Sequence, residues 1–100
     1  MCGLAGIVGL NSRPADRGAQ LARMMALLSH RGPDDSGQYI DERIGLGHRR
    51  LSIIDPERGK QPMSSECGRY TVVFNGVIYN YLEIRRELLA KGHPIHSYSD

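Results

Sequence analysis

The chain opens on Met1-Cys2-Gly3-Leu4-Ala5-Gly6-Ile7-Val8-Gly9, and whatever follows has to be arranged around this apolar run. Leu4, Ile7 and Val8 predict a buried strand over about residues 3 to 10, while Gly3, Gly6 and Gly9 let other backbone approach it closely. Cys2 is small enough for Met1 to be removed during maturation, which leaves a first residue with a thiol and a free α-amine on one carbon. The amine can take the thiol proton, directly or through one water, and activate the sulfur without a His or Asp partner. A free thiol of pKa ~8.5 is only roughly 3% thiolate at pH 7, so a base built into the same residue matters. The competing reading is an ordinary first strand that holds an inert, buried cysteine.

One hundred residues make one domain at most, with a modest core. Hydrophobic residues at 40% and charged residues at 24% are ordinary for a globular protein. A net charge of +2 is too small to point to nucleic acid or a membrane surface. No apolar run approaches the ~20 residues of a membrane-spanning helix, and the opening lacks the basic start of a secretory leader. The expected location is the cytoplasm, where Cys2 and Cys67 would stay unpaired. The closing residues, Ile95-His96-Ser97-Tyr98-Ser99-Asp100, alternate like a strand and stop without a polar tail. The chain therefore reads as the front part of a longer protein.

After a turn at Asn11-Ser12-Arg13-Pro14, Asp16 is the expected N-cap of a helix from about 17 to 29, with Leu21, Met24, Met25 and Leu28 as its buried stripe. His30 and Arg31 close that helix, and Gly32-Pro33 ends it with a left-handed cap. Asp34-Asp35-Ser36-Gly37 reads as a polar turn rather than a metal site, since no third ligand stands at a recognisable spacing. Residues 38–42 and 44–53 predict two strands joined near Asp41-Glu42-Arg43, and alternation puts Arg49 and Arg50 on opposite faces. Residues 55–66 read as a long loop, and Tyr70 to Phe74 as a central strand. Asn75-Gly76 signals a hairpin into a strand at Val77-Ile78-Tyr79. A second helix is expected from about Tyr81 to Lys91, with a Glu87–Lys91 pair outside, Gly92 as its cap and a strand after it. The pattern lacks regular βαβ alternation, so an α+β fold with antiparallel sheet is expected.

No metal site stands out, because the four histidines and two cysteines form neither CxxC nor HxxxH. No phosphate-binding glycine loop is present, and His48-Arg49-Arg50 lacks the aromatics or wider basic face of a nucleic-acid binder. What remains is a set of single residues. Cys2 can attack a carbonyl, and the Asn75 side-chain NH₂ with the Gly76 backbone N–H can stabilise a tetrahedral oxyanion. Arg50 can clamp a carboxylate through two parallel hydrogen bonds, and Asp100 can pair with an ammonium. These are the groups needed to hold and attack an amino-acid amide. Each has a plainer reading too: a turn for Asn75-Gly76, a surface charge for Arg50, an exposed terminal acid for Asp100.

Taken together, Met1-Cys2-Gly3, His30-Arg31-Gly32-Pro33-Asp34, Arg50-Leu51-Ser52-Ile53, Asn75-Gly76-Val77-Ile78-Tyr79-Asn80 and Ser99-Asp100 resemble the class II glutamine amidotransferases, whose glutaminase domain is an N-terminal-nucleophile hydrolase. The Arg-Leu-Ser-Ile block and the Ile-Tyr-Asn after Asn-Gly point to the asparagine synthetase branch. The resemblance covers nearly the whole chain and implies that residues 1–100 are the front part of a four-layer αββα sandwich, incomplete at its C-terminus. It implies Cys2 as nucleophile toward the glutamine side chain, with Asn75 and Gly76 as the oxyanion hole. It also implies Arg50 on the glutamine carboxylate, Asp100 on its ammonium, and Leu51, Ser52, Ile53 and Ile54 lining the pocket with Val77. No cofactor is implied within this segment. ATP and magnesium are implied in an absent synthetase domain, where ammonia released from glutamine would amidate aspartate.

Two features depart from the family pattern. The branch usually has Glu after Asn-Gly, and Val77 removes that charge from the site. The sandwich also needs more than 100 residues, so strands would be left uncovered and the chain alone would be unstable or self-associate. The alternatives are a non-catalytic interaction module with the same fold, an amidotransferase for another acceptor, and a small zinc-stabilised domain built on Cys2, Cys67 and two histidines. The expected partners are glutamine, the remainder of the synthetase polypeptide and a further copy of the chain.

Overall fold

The computed structural model describes residues 2–9, 11, 13–51 and 59–96. Strand β1 spans Gly3–Val8, helix α1 Pro14–Leu27, β2 Asp35–Ile40 and β3 Ile44–Arg50. Two short strands follow, β4 at Met63–Ser64 and β5 at Thr71–Val72, and then helix α2 at Tyr81–Ala90. The first three strands form an antiparallel sheet in the order β1-β3-β2, and β4 pairs with β5 in a separate antiparallel ribbon. The α+β architecture with antiparallel sheets is the one the sequence predicts.

The β2–β3 hairpin turns where the acidic loop residue predicts it. Asp41 Oδ1 accepts from the backbone N–H of Arg43 at 2.8 Å and of Ile44 at 2.7 Å, so one carboxylate closes the turn. The two strands register Gly37 on His48 and Asp35 on Arg50, while β1 registers Ala5 on Gly47 and Gly3 on Arg49. Because side chains alternate, Gly3, Ala5 and Ile7 share one face with Gly45, Gly47 and Arg49. Leu4, Val8, His48, Arg50, Gly37 and Asp35 share the other.

Helix α1 covers the first face. Gly47 has no side chain because Met25 occupies its space: a Cβ there would stand 2.4 Å from the Met25 sulfur. Leu21 and Met25 are buried with Ala5, and Ile7, Leu28 and Ile40 pack around them. Burying a side chain of this size contributes about 2 kcal/mol, and the three buried apolar residues among those described make a small core. The predicted stripe is therefore met at Leu21, Met25 and Leu28, while Met24 is exposed. The stripe also extends backward to Arg17, which is fully buried.

Several local expectations are corrected. Within β1 the buried parity is Gly3 and Ala5; Leu4 and Val8 point to the face that α1 does not cover, and Val8 is 75% exposed. Helix α1 begins at Pro14, not after Asp16: Arg13 is the N-cap position, proline's fixed φ suits the first turn, and Asp16 pairs with Arg13 at 3.2 Å. Gly32 takes no left-handed conformation, since the positive-φ glycines among the described residues are Gly68 and Gly92. The acidic turn at 34–37 is shorter than expected, because Asp35 already belongs to β2.

Tyr70 to Phe74 is not a central strand. Only Thr71 and Val72 pair, with β4, and Tyr70 and Val72 are exposed. Asn75-Gly76 makes no hairpin, and 77–79 form no strand. Helix α2 and its Gly92 cap (φ +84°) match expectation, with His93 N–H donating to Leu88 O at 2.9 Å. Glu87 and Lys91, however, form no side-chain ion pair, and no residue of α2 is buried. The strand expected over 93–98 is irregular through 96, and its end lies outside the described residues, as does the end of the strand expected to reach residue 53.

Candidate active site

Several residues singled out in the sequence gather at the sheet face opposite α1. Cys2 precedes β1 beside Leu51 at the end of β3. Its Sγ accepts from Leu51 N–H at 3.4 Å and lies 3.9 Å from Leu51 O. The Cys2 carbonyl accepts from Asn75 Nδ2 at 2.9 Å and from Arg31 Nε at 3.2 Å. Residues separated by up to 73 positions thus meet on one residue at the edge of the sheet. Cys2 and Cys67 are both free thiols.

Arg50 is 6% exposed and Arg49 half-buried, so the alternation read from the sequence puts Arg50 on the face of Cys2 and Arg49 on the face of α1. The stretch 31–34 runs alongside. Asp34 N–H donates to Arg50 O at 3.0 Å, and Pro33 bridges to Arg50. Gly32 permits this approach: a Cβ there would stand 2.2 Å from the Arg49 carbonyl carbon. The His-Arg-Gly-Pro-Asp stretch therefore lays Arg31 against Cys2 and Asp34 against the strand that holds Arg50.

His48, 1% exposed, faces the same side. Its Nε2 lies 3.1 Å from the Phe74 carbonyl, which can only accept, so Nε2 carries the proton. Burial is the main cause that lowers its pKa from the ordinary 6.5, with Arg50 acting the same way; the Phe74 contact and Asp35 oppose them. Gln61 meets Phe74 from the other side: its Nε2 donates to Phe74 O at 3.1 Å and its Oε1 accepts Phe74 N–H at 2.5 Å.

Of the sequence-predicted site residues, Cys2, Leu51 and Asn75 are in hydrogen-bond contact, and Arg50 is on the same face. Gly76 adjoins Asn75, with the Phe74 ring folded over it. Val77 is exposed. Ser52, Ile53, Ile54 and Asp100 lie outside the described residues. Arg31, His48 and Gln61 were not among the predicted site residues. Parity supplied a signal for His48, which shares its strand face with Arg50. Gln61 had none, because it arrives from an irregular segment. Among the described residues no group of three His, Cys, Asp or Glu side chains is placed to hold a metal ion. No helix among them is long and apolar enough to cross a membrane. An open groove of about 420 Å³, lined by Ile7, Gln20, Arg23, Met24 and Leu27, lies on the α1 side at the other end of β1 from Cys2.

Cys2 thus has its carbonyl held by the Asn75 amide, beside the strand that carries Arg50. Residues 1–100 match the glutamine amidotransferase domain along their whole length, and the chain belongs to that family. It is 46% identical over 102 residues to the glutamine-hydrolyzing asparagine synthetase 1 of Bacillus subtilis (strain 168), an alignment that covers 100% of this chain and 16% of that protein. It is 38% identical to asparagine synthetase 3 of the same organism and 39% identical to the asparagine synthetase of Brassica oleracea, in each case over 100% of this chain and 17% of the relative. The chain thus spans about one-sixth of the length of these relatives.

Proposed function

We propose that this chain is the glutaminase portion of an asparagine-synthetase-type amidotransferase, which hydrolyses glutamine to glutamate and ammonia through a thioester on Cys2. The observation that carries the reading is the meeting at Cys2 of Leu51 on the sulfur and Asn75 on the carbonyl. With Met1 removed, the α-amine takes the thiol proton and the sulfur attacks the glutamine side-chain carbonyl carbon. The C–S bond forms as the carbonyl π electrons move to oxygen. The Asn75 amide has two N–H groups; one holds the Cys2 carbonyl and the other can reach the oxyanion with Gly76 N–H. Collapse breaks the C–N bond, and the leaving nitrogen takes the proton from the terminal ammonium and departs as ammonia. Water then attacks the thioester, releasing glutamate and restoring the thiol.

In this reading Arg50 pairs with the glutamine α-carboxylate, Asp100 with its ammonium, and Leu51 to Ile54 and Val77 line the pocket. The sheet and α1 are two layers of a four-layer sandwich completed by the rest of the polypeptide. ATP and magnesium serve a synthetase portion outside these residues, where ammonia amidates aspartate. Val77 favours a second reading, in which the site has lost a charge that holds the glutamine amine and the protein amidates another acceptor or only binds partners.

The test is the intact mass of the full-length protein before and after incubation with a glutamine analogue that alkylates nucleophilic thiols. Loss of Met1 and a single adduct on Cys2, abolished by Arg50→Ala, is the expected result. Retained Met1, or equal labelling of Cys2 and Cys67, overturns it.

A further inference from the structure

Phe74 stands directly before Asn75, and its backbone is held on both sides by side chains. Strand β5 ends at Val72, so the ladder no longer fixes the chain there. The Gln61 carboxamide takes over: it donates to Phe74 O and accepts from Phe74 N–H, as a neighbouring strand residue would. His48 adds a second donor to the same carbonyl from beneath, anchored in the central strand of the sheet. Gln61 reaches this place because the cross-strand partner of His48 is Gly37. A Cβ on Gly37 would stand 2.2 Å from Gln61 O, so the bare backbone lets residue 61 lie on the strand beside the histidine.

The Phe74 carbonyl shares one planar peptide with the nitrogen and Cα of Asn75. Pinning the oxygen therefore pins the origin of the Asn75 side chain. A neutral ring serves this better than a charged one, because the buried Nδ1 has no partner among the described residues and is cheapest left as a bare lone pair. All three contacts that hold the Phe74 backbone come from His48 and Gln61, neither of which touches Cys2 among the contacts described.

We propose that His48 and Gln61 are positioning residues for glutamine hydrolysis, clamping the Phe74 peptide so that the Asn75 amide is aimed at the developing oxyanion. The inference rests on the reading of Asn75 as an oxyanion donor. A donor displaced by about 1 Å loses on the order of 10²-fold in rate, and a donor removed loses roughly 10²–10³-fold. The clamp is thus expected to act on kcat and to leave glutamine affinity in place.

The experiment measures glutaminase kcat and KM, with the thermal midpoint, for the full-length protein and four variants. His48→Leu removes the buried donor, and His48→Gln restores an N–H at the position of Nε2. Gln61→Glu keeps the shape but sets a carboxylate oxygen against the Phe74 carbonyl. Asn75→Ala removes the oxyanion donor itself. We expect His48→Leu and Gln61→Glu to lower kcat about 10- to 100-fold with KM within about twofold, and His48→Gln to recover most of the loss. Adding His48→Leu to Asn75→Ala should cost little more, because the group being aimed is already gone. If His48→Leu does not fold, Gln61→Glu on the half-buried loop side carries the same test. Wild-type kcat in Gln61→Glu and in a folded His48→Leu, with Asn75→Ala still impaired, overturns the clamp alone. A raised KM at unchanged kcat assigns the pair to substrate binding and overturns it too. Wild-type kcat in Asn75→Ala removes the oxyanion reading and the clamp together.

Discussion

Arg17 is a full positive charge with no exposed surface, held between two carbonyls: Nη1 donates to Gly9 O at 2.6 Å and Nη2 to Asp41 O. It ties the end of β1 to the β2–β3 turn beneath the first turns of α1. The signal was present in the sequence, since Arg17 stands four residues before Leu21 on the apolar stripe, but an arginine at a helix start reads as solvated by default. Arg17→Met keeps the aliphatic bulk and strips both donors, so it should lower stability by about 2 kcal/mol. An unchanged urea midpoint would mean that the two carbonyls find other partners. His48 makes a second, pH-dependent contribution. The unfolded histidine takes a proton near 6.5, whereas the folded one, buried and facing Arg50 on its own strand and Asp35 on β2, takes it only at lower pH. Its contribution is therefore complete above about 6.5 and is lost as pH falls from there through the lowered folded value. Asp41, held down by the Ile44 and Arg43 N–H groups, acts only below its ordinary 3.8, so the two windows separate. Thermal midpoints at pH 7.5 and 5.5 should differ less in His48→Gln than in the parent; an equal difference removes His48 from the acid response.

The elements that the sequence defined well are those whose pattern is local. The hairpin follows from Asp41, helix α2 from its own periodicity and Gly92, and the division between Arg49 and Arg50 from simple alternation. The misread elements depend on contacts distant in sequence. In β1 the apolar residues Leu4 and Val8 suggested the buried parity, but the glycine-rich face of β3 is what lets α1 come close, so the core took Gly3 and Ala5. At 73–76 the apolar run and Asn-Gly predicted a strand and a hairpin, yet Gln61 and His48 use the Phe74 hydrogen bonds that a partner strand would have taken. Cys2, Arg50 and Asn75 could be picked out singly from the sequence, whereas the meeting of His48 and Gln61 at Phe74 could not, because a glutamine in an irregular segment carries no periodicity.

The molecule as a whole exposes more surface than its mass calls for. A compact monomer of 11.1 kDa has roughly 5,700 Å² of accessible surface, and this chain has 7187 Å². Its radius of gyration is 14.8 Å, where about 13 Å is usual for 100 residues. The surplus of about 1,500 Å² is roughly twice the ~800 Å² that each partner buries in an ordinary protein–protein interface. Much of it is apolar and contiguous in sequence: Tyr70, Val72, Phe74, Val77, Ile78 and Tyr79, followed by Leu82, Ile84, Leu88 and Leu89 on a helix that buries none of its residues. Monomers rarely leave so many large apolar side chains exposed along one stretch of chain. A polypeptide ending at residue 100 should therefore self-associate, with a weight-average mass that rises across about 1 to 100 µM in sedimentation equilibrium. A longer polypeptide whose remainder covers this surface should hold one mass over the same range. A constant monomer mass for the short polypeptide would show that the exposed face is stable in water by itself. An equal rise in both would show that the rest of the polypeptide does not cover it.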